Sequence, residues 1–311
     1  MERLTVIGSG TMGHTITLNA AWAGIPVNMY GLTESDCAAG IDGIRRKLEV
    51  LVSNELIDAS EVGGIIGRIR PLSSLKDAVK KADFIIECVP EDIALKNNLF
   101  RQLDLECGPG VILASNTSGL QLSDIARGTR YPERILITHF WNPAHLVPLV
   151  EVLRMPVTRE EVFSRTMALL KLMDKRAIEV RKEVPGLVGN RLQFALFREA
   201  QHLLDQGVAT KEDIDAAVTF GIGRRLSVTG PLLSADMGGL DVFDSVSNNL
   251  FKYISKAEQS YPELQKLVSE KKYGSKNGQG YYEWDEQFSA RMNELREQEL
   301  IRLKKADQLT K

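Results

Sequence analysis

Two groups of residues in this 311-residue chain have the types and spacing that chemistry needs. The first is Gly8-Ser9-Gly10-Thr11-Met12-Gly13, a GxGxxG turn between the apolar run Leu4 to Ile7 and a helix-forming stretch from Met12 to Ala23. In that context Gly8 permits a tight turn, Gly10 lets the backbone approach a pyrophosphate, and Gly13 allows close packing of helix on strand. The helix start around Thr11, Met12 and Gly13 offers free N–H groups and a positive dipole end to phosphate. Such a unit binds a dinucleotide. His14, just inside the helix, is a further candidate for phosphate contact.

The second group is polar and lies downstream. Ser115-Asn116-Thr117-Ser118 follows the apolar run Val111 to Ala114, and His139-Phe140-Trp141-Asn142-Pro143 follows Ile135 to Thr138. His139 is the natural acid–base group, because an imidazole with an ordinary pKa of about 6.5 exchanges protons near neutrality. Glu151 sits inside the apolar run Pro148 to Leu153. A buried carboxylate without a partner is costly, so Glu151 either faces solvent on an edge or pairs inside, with His139 as the obvious partner. On residue type alone, Ser118 reads as a helix N-cap before Leu120 to Ile125, and Asn190 as a helix-start residue.

A carboxylate that hydrogen-bonds the adenosine ribose is expected at the end of the second strand, Val27 to Tyr30, but Gly31 stands there. The next residues, Leu32-Thr33-Glu34-Ser35-Asp36, carry two acids that would repel a 2′-phosphate. NAD is therefore the expected cofactor, with Glu34 or Asp36 as a substitute for the missing acid. The hydroxyls of Thr33 and Ser35 keep NADP open.

These groups require particular elements to position them. Apolar runs of strand length recur at Leu4 to Ile7, Val27 to Tyr30, Phe84 to Val89, Val111 to Ala114, Ile135 to Phe140, Leu149 to Leu153 and Ala177 to Val180, separated early on by stretches of helical length. That alternation predicts an α/β domain, a Rossmann-type doubly wound sheet, with both polar clusters converging beyond the carboxyl ends of its strands. The pattern changes at Val184-Pro185-Gly186, so the chain divides into a dinucleotide-binding domain over 1–183 and a smaller all-α domain over 184–311. Within the latter, the tail from Asp285 reads as a helix packing Phe288, Met292 and Leu295 on one face.

Composition excludes several classes. Hydrophobic residues make up 43% and charged residues 26%, with a formal net charge of −2. No apolar stretch is long enough to span a bilayer, and no basic field suggests nucleic acid. Three cysteines without CxxC spacing fit a reducing, cytoplasmic setting. The four histidines show no metal-ligand spacing, so no metal is expected.

Taken in order, the motifs Ser-Asn-Thr-Ser118, His139-Phe-Trp-Asn-Pro with Leu-Val-Glu151-Val, and Pro185-Gly-Leu-Val-Gly-Asn190-Arg-Leu closely resemble the 3-hydroxyacyl-CoA dehydrogenase family. The likeness continues through Gly230-Pro231 and Gly239-Leu-Asp-Val242 to Lys276-Asn-Gly-Gln-Gly-Tyr-Tyr282. It implies an NAD-dependent oxidoreductase with a helical, homodimer-forming second domain that interconverts 3-hydroxyacyl-CoA and 3-oxoacyl-CoA, of short-chain, hydroxybutyryl type. By the same resemblance His139 is the base that takes the hydroxyl proton while hydride passes to the cofactor, and Glu151 orients it. Ser118 and Asn190 hold the substrate oxygen, and Glu91, Lys96 and Asn142 line the nicotinamide and its ribose. Pro148, where acyl-CoA members often carry lysine, and the charged tail resemble lambda-crystallin and carnitine dehydrogenase relatives that oxidise free hydroxy acids. A free 3-hydroxy acid is thus the alternative substrate. A non-catalytic dinucleotide-binding protein is the alternative of another class.

Overall fold

A computed structural model describes residues 2–309 of the chain. Two compact units emerge from it, one running to Val188 and taking up the chain again from Arg296, the other comprising Gly189–Leu295. The first unit begins β1 (Leu4–Ile7), α1 (Thr11–Trp22), β2 (Val27–Tyr30), α2 (Glu34–Ser53), α3 (Val62–Gly67), β3 (Ile69–Leu72) and α4 (Leu75–Val79). It continues with β4 (Phe84–Glu87), α5 (Ile93–Glu106), β5 (Ile112–Ser115), α6 (Leu122–Ile125), β6 (Ile135–Phe140), β7 (Leu149–Arg154), α7 (Glu160–Leu172) and β8 (Arg176–Val180).

The eight strands form one sheet in the order β3-β2-β1-β4-β5-β6-β7-β8. Every neighbouring pair is parallel except β6 with β7. The order reverses at β1 and β4, the switch point of a Rossmann-type doubly wound sheet, where ligands lie beyond the carboxyl ends of the strands. Successive strand residues enter opposite faces. Val6, Ile86, Ala114 and Leu136 join one apolar cluster, whereas Ile7, Ile85, Leu113 and Ile137 join the other.

Local chemistry sets the helix boundaries. Thr33 accepts from the Asp36 amide and Asp36 accepts from the Thr33 amide, a reciprocal capping box that starts α2. Asp92 caps α5 by accepting from the Leu95 amide at 2.8 Å. Strand β3 was not legible from hydrophobic pattern, because Ile-Arg-Pro-Leu has two exposed polar or proline positions and serves as an edge strand.

The second unit is helical: α8 (Gly189–Asp205), α9 (Lys211–Ala216), α10 (Gly223–Leu226), α11 (Pro231–Gly238), α12 (Leu240–Leu250) and α13 (Pro262–Ser269). Helix α14 (Glu286–Leu309) then passes from this unit back into the first. Of the expected stripe, Phe288 and Met292 are half-buried, Phe288 packing against Tyr282 and Trp284, whereas Leu295 is 49% exposed; farther along the helix Ile301 and Lys304 are buried. Lys304 escaped the hydropathy pattern because a lysine stem can be buried while the pattern counts only its charge. Among the described residues no helix is long and apolar enough to cross a membrane, and no cluster of His, Cys, Asp or Glu could hold a metal ion.

One buried ion pair fastens the first unit. Arg134 has no exposed surface; it donates to Asp104 Oδ1 at 2.8 Å and to the carbonyls of Gly108, Val111 and Cys107. Asp104 also accepts from the Arg130 amide at 2.5 Å and lies 3.4 Å from Arg130 Nε, so loss of Arg134 weakens rather than abolishes its compensation. Arg134→Met, which leaves the carbonyls of Gly108, Val111 and Cys107 without its donors, is expected to lower unfolding stability by about 1–3 kcal/mol, read from urea denaturation.

Candidate active site

The carboxyl end of β1 turns into α1 through the glycines. Gly8 has φ 109°, and a Cβ there would lie 2.7 Å from the Cys88 carbonyl oxygen. A Cβ at Gly13 would lie 1.8 Å from the Gly8 carbonyl oxygen, so only glycine lets the helix start this close to the strand. At Gly10 the situation is opposite: nothing stands within 4 Å of an added Cβ. Gly10 is the N-cap of α1 and no side chain caps the helix, which leaves its first amides, from Thr11 to Gly13, aimed at that open space. The cradle fits a dinucleotide pyrophosphate.

At the ribose end, Gly31 is explained by sterics. A Cβ at Gly31 would meet Cys37 Sγ at 2.8 Å and Ser9 Oγ at 3.0 Å, because α2 packs tightly on the end of β2. No carboxylate can occupy that position. Asp36 is committed to the capping box, whereas Glu34 lies exposed in the first turn of α2. His14 faces Gly43 of α2, and burial lowers its pKa below the ordinary imidazole value.

The polar cluster after β5 is held by carboxylates from β4 and the loop that follows it. Ser115 Oγ donates to Glu87 Oε2 at 2.6 Å, and Asn116 Oδ1 accepts from the Phe140 amide at 2.8 Å, linking β5 to β6. Glu91 Oε1 accepts from Thr117 Oγ1 at 2.5 Å and from the amides of Ser118 and Gly119 at 3.0 and 3.1 Å. Burial raises the Glu91 pKa, but the Thr117 hydroxyl, the Lys96 charge and those amides outweigh it and hold the carboxyl below its ordinary value. Lys96, 1% exposed, donates to Glu87 Oε1 at 2.5 Å and lies 3.4 Å from Glu91 Oε2. Burial pushes the Glu87 carboxyl up, with Lys96 as the main counterweight. Glu87 was missed in the sequence because it ends an apolar strand, Phe84-Ile-Ile-Glu, and the signal available was the same one that singled out Glu151: an acid in an apolar run. Ser118 caps no helix; it lines a cavity of about 100 Å³ with Thr117, Leu120, Ile137, Val184 and Leu187.

Antiparallel pairing sets His139 of β6 directly opposite Glu151 of β7. Their side chains project from the same face, and His139 Nδ1 lies 2.8 Å from Glu151 Oε2. Both are buried. Glu151 also accepts from Trp141 Nε1 at 3.2 Å and, through Oε1, from the Val188 amide at 2.8 Å. With Nδ1 engaged by the carboxylate, Nε2 is the nitrogen left for a proton transfer. Asn142, exposed, precedes a cis peptide to Pro143 in the loop between these strands. Asn190 lies in the first turn of α8 in the second unit.

Comparison with known proteins fits this arrangement. Residues 3–184 match the family model of the 3-hydroxyacyl-CoA dehydrogenase NAD binding domain, and residues 186–284 match that of the C-terminal domain. The chain belongs to the 3-hydroxyacyl-CoA dehydrogenase family. It is an NAD-dependent oxidoreductase acting on CH–OH groups. A probable 3-hydroxybutyryl-CoA dehydrogenase of Bacillus subtilis is 36% identical over 93% of this chain and 99% of its own. The 5-formyl-3-hydroxy-2-methylpyridine 4-carboxylate 5-dehydrogenase of Mesorhizobium japonicum is 34% identical over 91% and 90%. A crystal structure of a dehydrogenase of that pyridine acid, described as an NAD+ dependent dismutase, superimposes with a TM-score of 0.91, 31% identity and coverage of 99% of both chains. The (S)-3-hydroxybutyryl-CoA dehydrogenase of Ralstonia eutropha gives a TM-score of 0.77 at 30% identity, covering 92% of this chain and all of its own.

The glycine turn separates stability from binding in a testable way. Gly10→Ala is expected to melt at the temperature of the unaltered protein yet bind NADH on the order of tenfold more weakly, its methyl entering the phosphate space. Gly13→Ala is expected to lose both binding and thermal stability, because its clash is with backbone. NADH fluorescence titration and thermal denaturation check the pair.

Proposed function

We propose that the protein interconverts a short-chain L-3-hydroxyacyl-CoA and its 3-oxo form, with His139 as the acid–base group and Glu151 as the acid that orients it. The observation that carries this reading is the buried His139–Glu151 pair at the carboxyl end of β6. NAD, when bound, supplies the hydride acceptor. Glu151 fixes the imidazole with its proton on Nδ1, so that Nε2 accepts the proton of the 3-hydroxyl and returns it in the reverse direction. Ser118 and Asn190 hydrogen-bond the oxygen as carbonyl character develops. Glu91, Lys96 and Asn142 border the nicotinamide end, Glu91 also shaping the Ser118 loop. The small cavity beside Ser118 supports a substrate with a short acyl chain.

A second reading, a free hydroxy acid without CoA, is favoured by one specific observation. The structure that acts on a pyridine carboxylic acid spans 99% of this chain, tail included, whereas the hydroxybutyryl-CoA enzyme spans 92%. An NADH-absorbance assay decides: turnover of acetoacetyl-CoA without turnover of free acetoacetate, gulonate or carnitine supports the first reading, and the reverse supports the second. His139→Ala is expected to lower kcat on the order of 10²- to 10⁴-fold with NAD affinity retained. Wild-type turnover in that variant would remove the acid–base assignment.

Self-association belongs to the same reading. The second unit leaves Phe194, Phe220, Leu232, Met237, Leu240 and Phe251 exposed, and buried apolar side chains are absent from its described residues. Surfaces this apolar are covered in solution, and a second copy of the chain covers them in a two-fold dimer. Sedimentation equilibrium is expected to give twice the 34.6 kDa chain mass.

A further inference from the structure

A buried cation ties a turn to the loop that joins the strands of His139 and Glu151. Helix α7 is followed by a reversal through Asp174, φ 59°, into Lys175, just before β8. Lys175 is 7% exposed, and its Nζ donates to the carbonyl oxygens of Ala144 and, at 3.1 Å, Val147. Both carbonyls belong to the segment 141–148 that connects β6 to β7. That loop starts two residues after His139 and ends three before Glu151, and it carries Trp141, whose indole N–H reaches Glu151.

The turn itself is braced from the other side. Asp174 Oδ2 accepts from Lys304 Nζ of α14 at 2.6 Å, and Lys304, 4% exposed, stands 5.7 Å from the Trp22 ring of α1. Asn19 of α1 donates to the Met173 carbonyl at 3.2 Å, and Lys47 of α2 pairs with Glu297 of α14 at 3.0 Å. An ammonium at such a place is unfavourable: burial, with repulsion from Lys304, lowers the Lys175 pKa to about 7. His145, on the same loop, is lowered to about 3 by burial and by the surrounding Lys47, Lys175, His14 and Lys304. An apolar side chain of the same length would fill this space at less cost, so the donors of Lys175 have a task.

We propose that Lys175 is a positioning residue for the reaction: by gripping Ala144 and Val147 it fixes the 141–148 loop, and with it the mutual placement of His139, Trp141 and Glu151. Helix α14 secures that grip through Lys304 and Asp174. The proposal rests on the reading of His139 and Glu151 as the acid–base pair.

The test uses the full chain labelled with 5-fluorotryptophan, whose three tryptophans, Trp22, Trp141 and Trp284, give fluorine resonances assignable by single Trp→Phe variants. Lys175→Met is expected to shift or broaden the Trp141 resonance and leave that of Trp284 in place. Its kcat should fall on the order of tenfold to a hundredfold, as displacement of reacting groups by about an ångström does, with NADH affinity and substrate KM nearly unchanged. Lys175→Arg, which keeps donors, should restore part of both signals. Asp174→Asn, tolerated at positive φ, should move the Trp141 resonance in the same direction by less. A Lys175→Met protein with an unmoved Trp141 resonance overturns the proposal whatever its rate. Should that variant not fold, Asp174→Asn and Lys175→Arg decide it, and an unperturbed Trp141 in Asp174→Asn overturns the brace. Because the resonance is read without turnover, failure of the clamp is distinguished from failure of the acid–base reading, which the His139→Ala rate examines.

Discussion

Glu151 has no exposed surface, and the arrangement around it follows from the need to keep a desolvated carboxylate supplied with donors. Those donors include His139 on the neighbouring strand, Trp141 in the connecting loop, and the Val188 amide at the end of the first unit. The antiparallel register of β6 and β7 is thereby constrained, since a slip of one residue would turn either side chain to the opposite face. So is the path of the chain leaving β8, which must bring Val188 back over the sheet. One charge organises strand pairing, loop shape and the approach to the second unit.

A second set of buried charges does the corresponding work one strand pair away. Glu87 is satisfied by Lys96, Ser115 and the Val89 amide, and Lys96 in turn faces Glu91, which gathers the amides of Ser118 and Gly119. Ser118 thus stands on a loop in which its own amide and that of Gly119 bond one carboxylate, and it lines the cavity. The two networks are alike in design: an acid in an apolar strand bonds a polar side chain of the neighbouring strand. They differ in that only the β7 acid meets an imidazole.

Legibility in the sequence tracked physical periodicity. The glycine turn, seven of the eight strands and the α/β-to-α transition stood out because strand runs buried on both faces are nearly continuous in apolar residues. Edge strand β3 did not, because proline and arginine at an edge carry no burial signal. The His139–Glu151 opposition was left open by residue type and follows only from register. Gly31 read as a missing acid; the steric reason, a helix lying on the strand end, is a tertiary fact. Lys175 and Lys304 carried no signal at all, since a buried lysine is indistinguishable in sequence from a solvated one. The Lys96 partnership with Glu87 was equally hidden, nine residues apart and on different elements.

Helix α14 crosses from the second unit into the first at Leu295 and Arg296 without a break in its hydrogen bonding. The second unit is therefore spliced into the first, joined at Val188–Gly189 and again through a rod of continuous helix. The first unit is thereby completed only by residues that follow the whole of 189–295 in the chain, since the segment from Arg296 carries its buried Ile301 and Lys304.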